Sequence, residues 1–481
     1  MTTLFYISLH VIGIFIALPL SKKIPVWFLA CTGFIWGLVA WIICSVVTLM
    51  LGLTFSWLNM ALLMTPLVIA AVVINISRKT LFLSPKQWGT ILVSVGVITV
   101  LAFVVTQKSY VFATADSFGY IFHGRILAEN GLVSWTINYF TKLGLFSPIV
   151  QMSSLLLPGD FLSGYQSILT VILIAGLFFS MLDIFISHFS KIISFLLAGG
   201  LVLVLISKIF LNHAFYIHNN LPAAVFLFIA LYSYWRFLKS DIKEWLILAT
   251  VAITIFGFTR IEGPLYVILL LLLVISSKQL NPKQVLFLVL PYALIAISWH
   301  LFLYTTVDQT EILSQKNLLV IILALSGLTL LALLSKKIPV LLALLPELML
   351  SSLFFGLILA FLIEPEHMIT STTHVWQNLI DMFSWGWTWL AILALVPFTL
   401  MNNDQHPENR MLVYSVISYI LIVLLLALAR KPYRLGETDS ANRLMLQILP
   451  IILLAIASNA DQLKVWFSLK ESGIQSDIEP D

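Results

Sequence analysis

Charge is what this chain has least of. Of its 481 residues, 10% are Asp, Glu, Lys or Arg and 60% are apolar. A water-soluble domain carries roughly 25% charged residues, so this chain could not cover a hydrated surface. Cysteine is equally scarce, with Cys31 and Cys44 the only two. Both fall on one predicted helix, about 20 Å apart at ~1.5 Å per residue, which is beyond disulfide reach. They say nothing about redox compartment. A large charge of one sign is missing too: the net +4 lies mostly in loops, where it reports topology and not nucleic-acid binding. No internal repeat and no soluble domain is legible. The N-terminal apolar run lacks a basic start and a small-residue cleavage site, which predicts a retained helix and not a signal peptide.

What is present is a succession of apolar runs of about 20 residues, with a mean hydropathy of +1.03 over the chain. They are too long and too unalternating for a β-barrel, so the expected class is all-α, a polytopic transmembrane helical protein. Spans are predicted near 4–20, 26–48, 56–76, 89–107, 165–186, 192–210, 220–237, 245–258, 264–276, 285–304, 318–334, 338–363, 382–400, 411–429 and 444–457. That is about 12–15 crossings, because some runs are short and one is over-long. Lys22 and Lys23, then Arg78, Lys79 and Lys86, then Lys336 and Lys337, fall in alternate connections. The positive-inside rule makes those connections cytoplasmic and sets the N-terminus outside. Residues 108–164 then form a long outer segment. The last outer loop, 430–443, breaks the rule with Arg430, Lys431, Arg434 and Arg443. Basic residues on the outside need another reason, and an anionic ligand such as a lipid phosphate is one.

The most informative polar stretch is TADSFGYIFHGRILAENG, residues 114–131. Phe118, Ile121, Phe122 and Ile126 recur at helical spacing, which predicts an amphipathic helix at the outer interface with Gly131 as its C-terminal cap. Asp116 stands at its start. Two roles suit it: an N-cap, for which Asp is a preferred residue, or a reactive carboxylate at the membrane edge.

An Asp in the first outer loop, followed by a Tyr and an Arg on one interfacial helix (DSFGYIFHGR) and then by ENG, resembles the GT-C membrane glycosyltransferases. FSPIV, with Pro148, resembles that family's Pro-containing start of the next helix. HNNLPAAVF, residues 218–226, resembles its second outer turn, TRIEGPLY its outer Arg/Lys-x-Glu-Gly turn, and SANRLMLQILPIILL its late Arg followed by Leu and Pro. Many members carry an acidic residue where this chain has Asn220, so Asn220 is given no catalytic role. The resemblance runs over roughly 89–457. It implies a GT-C-like module at 89–305 with a catalytic outer loop at 108–164, and a variable transmembrane module at 306–457. Residues 1–88 read as additional N-terminal helices and 458–481 as a cytoplasmic tail.

The resemblance also implies a sugar donor on a polyprenyl phosphate and a glycan, lipid or protein acceptor, with membrane lipids around. The physical requirements can be stated independently. An alcohol is a poor nucleophile, and a carboxylate within hydrogen-bond reach takes its proton in the transition state. Asp116 is expected in that role. Departure of the lipid phosphate builds negative charge, which fixed cations stabilise. Arg443 is the first candidate and Arg260 the second, followed by Arg434 and Lys431, because a guanidinium fork suits phosphate oxygens. Direct displacement would invert the anomeric centre. Tyr120, His123, Arg125, Glu262 and His218 are the expected substrate contacts. Structural alternatives accompany these: Arg260 and Glu262 as an ion pair closing a tight turn, and Arg125 and Arg443 snorkelling to headgroups.

No cofactor is expected, and a divalent metal is left open. The histidines show no HExxH-like spacing, and His213 with His218 is not a one-face helical pair. A transporter or flippase of lipid-linked intermediates is the alternative; it expects polar groups near the bilayer midplane. Glu347 is the main such residue, and a late helix start would leave it near the cytoplasmic interface. WGWTW, 385–389, reads as an aromatic belt. The expected location is a bacterial plasma membrane with the reactive groups on the extracytoplasmic side.

Overall fold

The computed structural model describes residues 1–107, 114–132, 144–157, 164–260, 262–276, 280–306, 315–400, 407–428, 432–437 and 439–459. All regular secondary structure among the described residues is helical. In chain order the helices are α1 (Thr2–Ala17), α2 (Val26–Met50), α3 (Trp57–Ser77), α4 (Pro85–Gln107), α5 (Ala115–Asn130), α6 (Phe146–Gln151), α7 (Gly164–Ile186), α8 (Lys191–Leu205), α9 (Lys208–His213) and α10 (Asn220–Ser240). They continue as α11 (Lys243–Thr259), α12 (Gly263–Ser276), α13 (Pro282–Thr306), α14 (Gln315–Leu334), α15 (Pro339–Ile363), α16 (Pro365–Ile380), α17 (Thr388–Leu400), α18 (Pro407–Leu426) and α19 (Ser440–Ser458).

Among the described residues, ten helical segments are long and apolar enough to cross a membrane: α1 with the turn after it, α2, α3, α4, α7, α10, α13, α15, α18 and α19. The chain is an integral membrane protein. The remaining expected spans fall on shorter apolar stretches, namely Lys191–Leu205, Gly263–Ser276, Leu318–Leu334 and Thr388–Pro397, and on α11 with its 17 residues. The span expected at 192–210 ends at Leu205, and a separate short helix, α9, follows. Proline lies inside α3, α13, α15, α17 and α19, as membrane helices tolerate when neighbours satisfy the freed carbonyls.

The chain divides into two compact units. The first comprises Met1–Gly176, Asn212–Leu271 and Leu280–Lys337; the second comprises Leu177–Leu211, Leu272–Gln279 and Ile338–Asp481. In the first unit α10 is the central helix. Its span is 89% buried against 17% for α4, so α4 turns most of its apolar side chains outward, as a lipid-facing helix does. Helices α1 and α2 meet backbone to backbone: a Cβ on Gly13 would lie 1.8 Å from the Gly33 carbonyl oxygen, and one on Gly37 1.8 Å from that of Leu9. This is the small-residue packing that membrane helices use in the absence of a hydrophobic drive. Trp41 of α2 then donates its indole N–H to Ser153 Oγ at 2.7 Å, just after α6.

In the second unit α19 is central, with a span also 89% buried against 11% for α15. Asp439 caps α19 by accepting from the Ala441 amide at 2.7 Å. Between α15 and α17 lies the amphipathic α16, which buries Met368, Ser371, Val375 and Asn378 at helical spacing. Asn378 donates to the Arg434 carbonyl and accepts from the Gly436 amide, and His374 donates to the Tyr433 carbonyl. A carbonyl can only accept, so His374 carries its proton on Nδ1.

Two expectations in this unit are corrected. WGWTW is not a uniform belt: Trp385 is fully buried and donates to Asn442 Oδ1 at 2.9 Å, Trp389 is buried, and Trp387 is exposed. Helix α15 does not start late; it runs from Pro339, and Glu347 lies in its third turn. The carboxylate pairs with Arg410 of α18, beside the Tyr414 hydroxyl.

Candidate functional site

Three chain turns of the first unit meet at one place: the start of α5, the turn before α10, and the turn from α11 to α12. Helix α5 is capped by Thr114, whose hydroxyl accepts from the Ser117 amide at 3.2 Å, and it ends at Gly131 with φ +71°. Asp116 therefore is not the N-cap. It sits in the first turn, where the partial positive charge of the helix N-terminus favours a carboxylate, and its side chain is free to point elsewhere. The expected apolar stripe of α5 is divided: Ser117, Tyr120, Ile121, Gly124 and Leu127 face inward, and Phe118 and Phe122 are exposed. Gly124 packs so closely on Gln151 and Pro148 that any Cβ would clash.

The turn before α10 is held on several sides. Gln166 donates to the His218 carbonyl at 2.7 Å and to the Tyr165 hydroxyl at 2.8 Å. The Tyr165 hydroxyl shares a hydrogen bond of 2.9 Å with Ser147 Oγ, and the Ser147 amide donates to Asn219 Oδ1 at 2.8 Å. Ser167 Oγ donates to the Ala214 carbonyl. Next to it, Gly144 adopts φ +86° with its Cα against the Thr259 carbonyl, where a side chain would come within 2.0 Å. The Leu145 amide donates to the Phe258 carbonyl at 3.1 Å. Little of this turn can move without breaking a buried hydrogen bond.

On that frame stands a continuous polar chain. Glu262 accepts from Arg260 Nε at 3.0 Å and from Arg260 Nη2 at 3.3 Å. Arg260 Nη1 donates to Asn220 Oδ1. Asn220 Nδ2 lies 2.6 Å from His218 Nδ1, which also accepts from the Asn219 amide at 2.9 Å. His218 Nε2 faces Asp116 Oδ2 at 3.8 Å, and the Tyr216 hydroxyl donates to the same oxygen at 2.7 Å. The ring of Tyr120 stands edge-on to His218 with centroids 5.3 Å apart. Side chains along the chain are buried except at its end: Glu262 is 3% exposed, Arg260 12%, His218 4%, and Asp116 38%. The carboxylate of Asp116 is thus the accessible terminus of an otherwise enclosed network.

The other expected residues divide. Tyr120, His218, Arg260 and Glu262 converge with Asp116. His123 is buried on α5 beside Phe122, and burial pushes its imidazole below the ordinary histidine value by disfavouring the charged form. Arg125 is exposed on the opposite face of α5. Arg443, in the first turn of α19, and Arg434, whose amide donates to Asp439 Oδ1 at 2.9 Å, belong to the second unit. Lys431 lies outside the described residues. Among the described residues no three His, Cys, Asp or Glu side chains converge to hold a metal ion.

Sequence reasoning missed Tyr216, Asn219 and Asn220. The signal was HNNLP itself: two adjacent amides at the mouth of an apolar helix have no reason to be there unless something buried binds them.

Beneath this network the first unit holds a cavity of about 540 Å³, whose walls include Val39 and Ile42 of α2, Phe146 of α6, Thr254 and Phe258 of α11, and Trp299 of α13. Its lining is almost wholly apolar. The Thr250 and Thr254 hydroxyls are spent on the carbonyls of Leu246 and Thr250. Phe258 is two residues before Arg260, so the cavity and the polar chain share one helix end.

The chain matches no protein-family model, no curated protein and no solved structure.

Proposed function

We propose that this protein is an inverting membrane glycosyltransferase of the GT-C type, moving a sugar from a polyprenyl-phosphate carrier to an acceptor at the outer face of a bacterial plasma membrane. The observation that carries the reading is the state of Asp116: an accessible carboxylate held by Tyr216 at 2.7 Å, at the end of a buried polar chain whose other end, at Arg260, follows the helix that lines an apolar cavity. In the reaction the acceptor oxygen attacks the anomeric carbon and its proton passes to Asp116 Oδ. The bond from that carbon to the phosphate oxygen breaks, and the lipid phosphate leaves with the electron pair. No cofactor is consumed.

Arg260 is the cation of the same unit. Three of its guanidinium N–H groups are engaged by Glu262 and Asn220, and a guanidinium has five, so two remain to meet a phosphate oxygen. The neighbouring Glu262 lowers its net attraction for an anion, which favours a positioning contact over a strong clamp. The apolar cavity suits the first units of an isoprenoid chain, because each buried CH₂ contributes about 0.8 kcal/mol. Arg443, Arg434 and Lys431 remain proposed phosphate contacts on the strength of their sequence positions, and Tyr120, His123 and Arg125 proposed substrate contacts.

The transporter reading has one observation in its favour, the Glu347–Arg410 pair within helices of the second unit. Arg410 stands in the first turn of α18 and Glu347 in the third turn of α15, so the pair marks the end of one span and the interior of another; the transferase reading is preferred because of the Asp116 site. The test is turnover: purified protein, a panel of polyprenyl-phosphate sugars and a membrane extract as acceptor source, followed by mass spectrometry. Loss of one donor with gain of its sugar on a product supports the reading. Movement of intact donor across vesicles without sugar release would replace it.

A further inference from the structure

The polar chain contains enough donor-only groups to fix its own hydrogens. Arginine can only donate, so the Asn220 side-chain atom that meets Arg260 is the carbonyl oxygen, and the orientation of that amide is determined. The atom that Asn220 turns to His218 is then its NH₂, at 2.6 Å from Nδ1. A second donor-only group, the Asn219 backbone amide, meets the same Nδ1 at 2.9 Å. A ring nitrogen faced by two N–H groups must be an acceptor. His218 therefore carries its hydrogen on Nε2, the nitrogen that faces Asp116 Oδ2 at 3.8 Å.

From this geometry we infer that His218 is a positioning residue: a neutral imidazole locked as the Nε2–H tautomer by Arg260 acting through Asn220, and aimed at the Asp116 carboxylate. The role toward Asp116 rests on the transferase reading, whereas the tautomer does not. The pairing of His218 with Asp116 is accordingly a dipole against a carboxylate and not an ion pair. Protonating the ring would put a third hydrogen between Nδ1 and its two donors, so His218 neither takes the acceptor's proton at Nε2 nor relays it through Nδ1. Asp116 is left as the proton acceptor, with Tyr216 and His218 fixing its orientation from two sides. Asn220, the neutral residue at a position where an acidic one would draw the proton to Nδ1, is the element that makes this state. Among the described residues, the groups that bear on the ring include Asp116 and Tyr120 from α5, Tyr216 and Asn219 from the turn, Asn220 from α10, and, one contact further, Arg260 and Glu262.

Ring nitrogen NMR on the full-length protein with ¹⁵N-labelled histidine tests the tautomer without any substrate. His218 is assigned by difference from His218→Gln. The expected spectrum has an unprotonated Nδ1 and a protonated Nε2 that persist from about pH 8 to about pH 5.5, through the range where an ordinary histidine titrates. Asn220→Asp replaces the donor at Nδ1 with an acceptor, and the expected result is a ring protonated on both nitrogens at neutral pH. Asp116→Asn shifts the Nε2 resonance alone. A protonated Nδ1 in the wild type, or an Asn220→Asp spectrum identical to the wild type, overturns the proposal. The positioning role is read from transfer kinetics. His218→Phe should lower kcat about tenfold with KM for the donor unchanged. Asn220→Asp should introduce an inflection in the pH profile above the ordinary histidine value of about 6.5, where the wild type is flat. Full activity of His218→Phe with an unchanged profile overturns the role even where the tautomer stands. Absence of transfer by the wild type on every donor, with the NMR result intact, sinks the transferase reading and the role that rests on it but not the tautomer.

Discussion

The Tyr216 hydroxyl donates to Asp116 Oδ2 at 2.7 Å, joining residues 100 positions apart in the chain. This bond sets the direction in which the second carboxylate oxygen faces. A general base misaligned by a fraction of an ångström loses much of its effect. Tyr216→Phe should therefore reduce kcat by about one order of magnitude while leaving donor KM and the unfolding midpoint in place. Steady-state kinetics and thermal unfolding in detergent check both halves. A change in KM alone would show that Tyr216 binds substrate and does not orient the base.

Arg260 and Glu262 form a pair that is nearly removed from water. Removing one partner of a buried pair strands the other charge, at a cost of about 3–5 kcal/mol. Arg260→Met should lower stability on that order and abolish transfer. Replacing both residues, Arg260→Met with Glu262→Leu, should recover most of the stability and none of the activity. If the double variant regains activity, Arg260 has only a structural role.

The cavity beside Phe258 makes a separate prediction. Val251 lines it, and Val251→Phe would displace roughly two CH₂ groups of a bound chain, about 1.6 kcal/mol. The KM for a long polyprenyl donor should rise about tenfold, with kcat and the KM of a short-chain donor analogue unchanged. Equal effects on both donors would place the prenyl chain elsewhere.

His123 gives the pH dependence. Its imidazole is held below the ordinary value by burial. Above about pH 6.5 the folded and unfolded chains both leave it neutral. As pH falls below that value the unfolded chain takes up the proton first, so stability declines with acidification. The unfolding midpoint of the wild type should fall more steeply between about pH 7 and about pH 5 than that of His123→Gln. Parallel slopes would assign acid sensitivity to other groups.

Much of this was legible in the sequence, for reasons that differ by element. The spans follow from uninterrupted apolar runs, because lipid leaves the backbone no alternative to a helix. The Arg260–Glu262 pair was legible because its partners are two residues apart in a tight turn. Asp116 was legible as a carboxylate near the start of a polar stretch between apolar runs. The chain from Asn220 through His218 to Asp116 was not, because its turns are far apart in sequence and are brought together only by tertiary packing, of α5 on α6 and of α10 on α11. The same holds for Trp385: an aromatic near a helix start looks like a belt until Asn442, 57 residues on, supplies its acceptor. The divided stripe of α5 failed for a related reason, since periodicity shows that an apolar face exists but not that Tyr120 competes for the inner position.

The most direct measurement compares donor turnover by the wild type and Asp116→Asn, each folded and in the same detergent or nanodisc, with the donor that the wild type consumes. Loss of the general base should slow transfer by about 10²–10⁴-fold while donor binding, followed separately by equilibrium titration, stays within about twofold. Turnover by Asp116→Asn within about twofold of the wild type would remove Asp116 as the base and with it the mechanism built on this site.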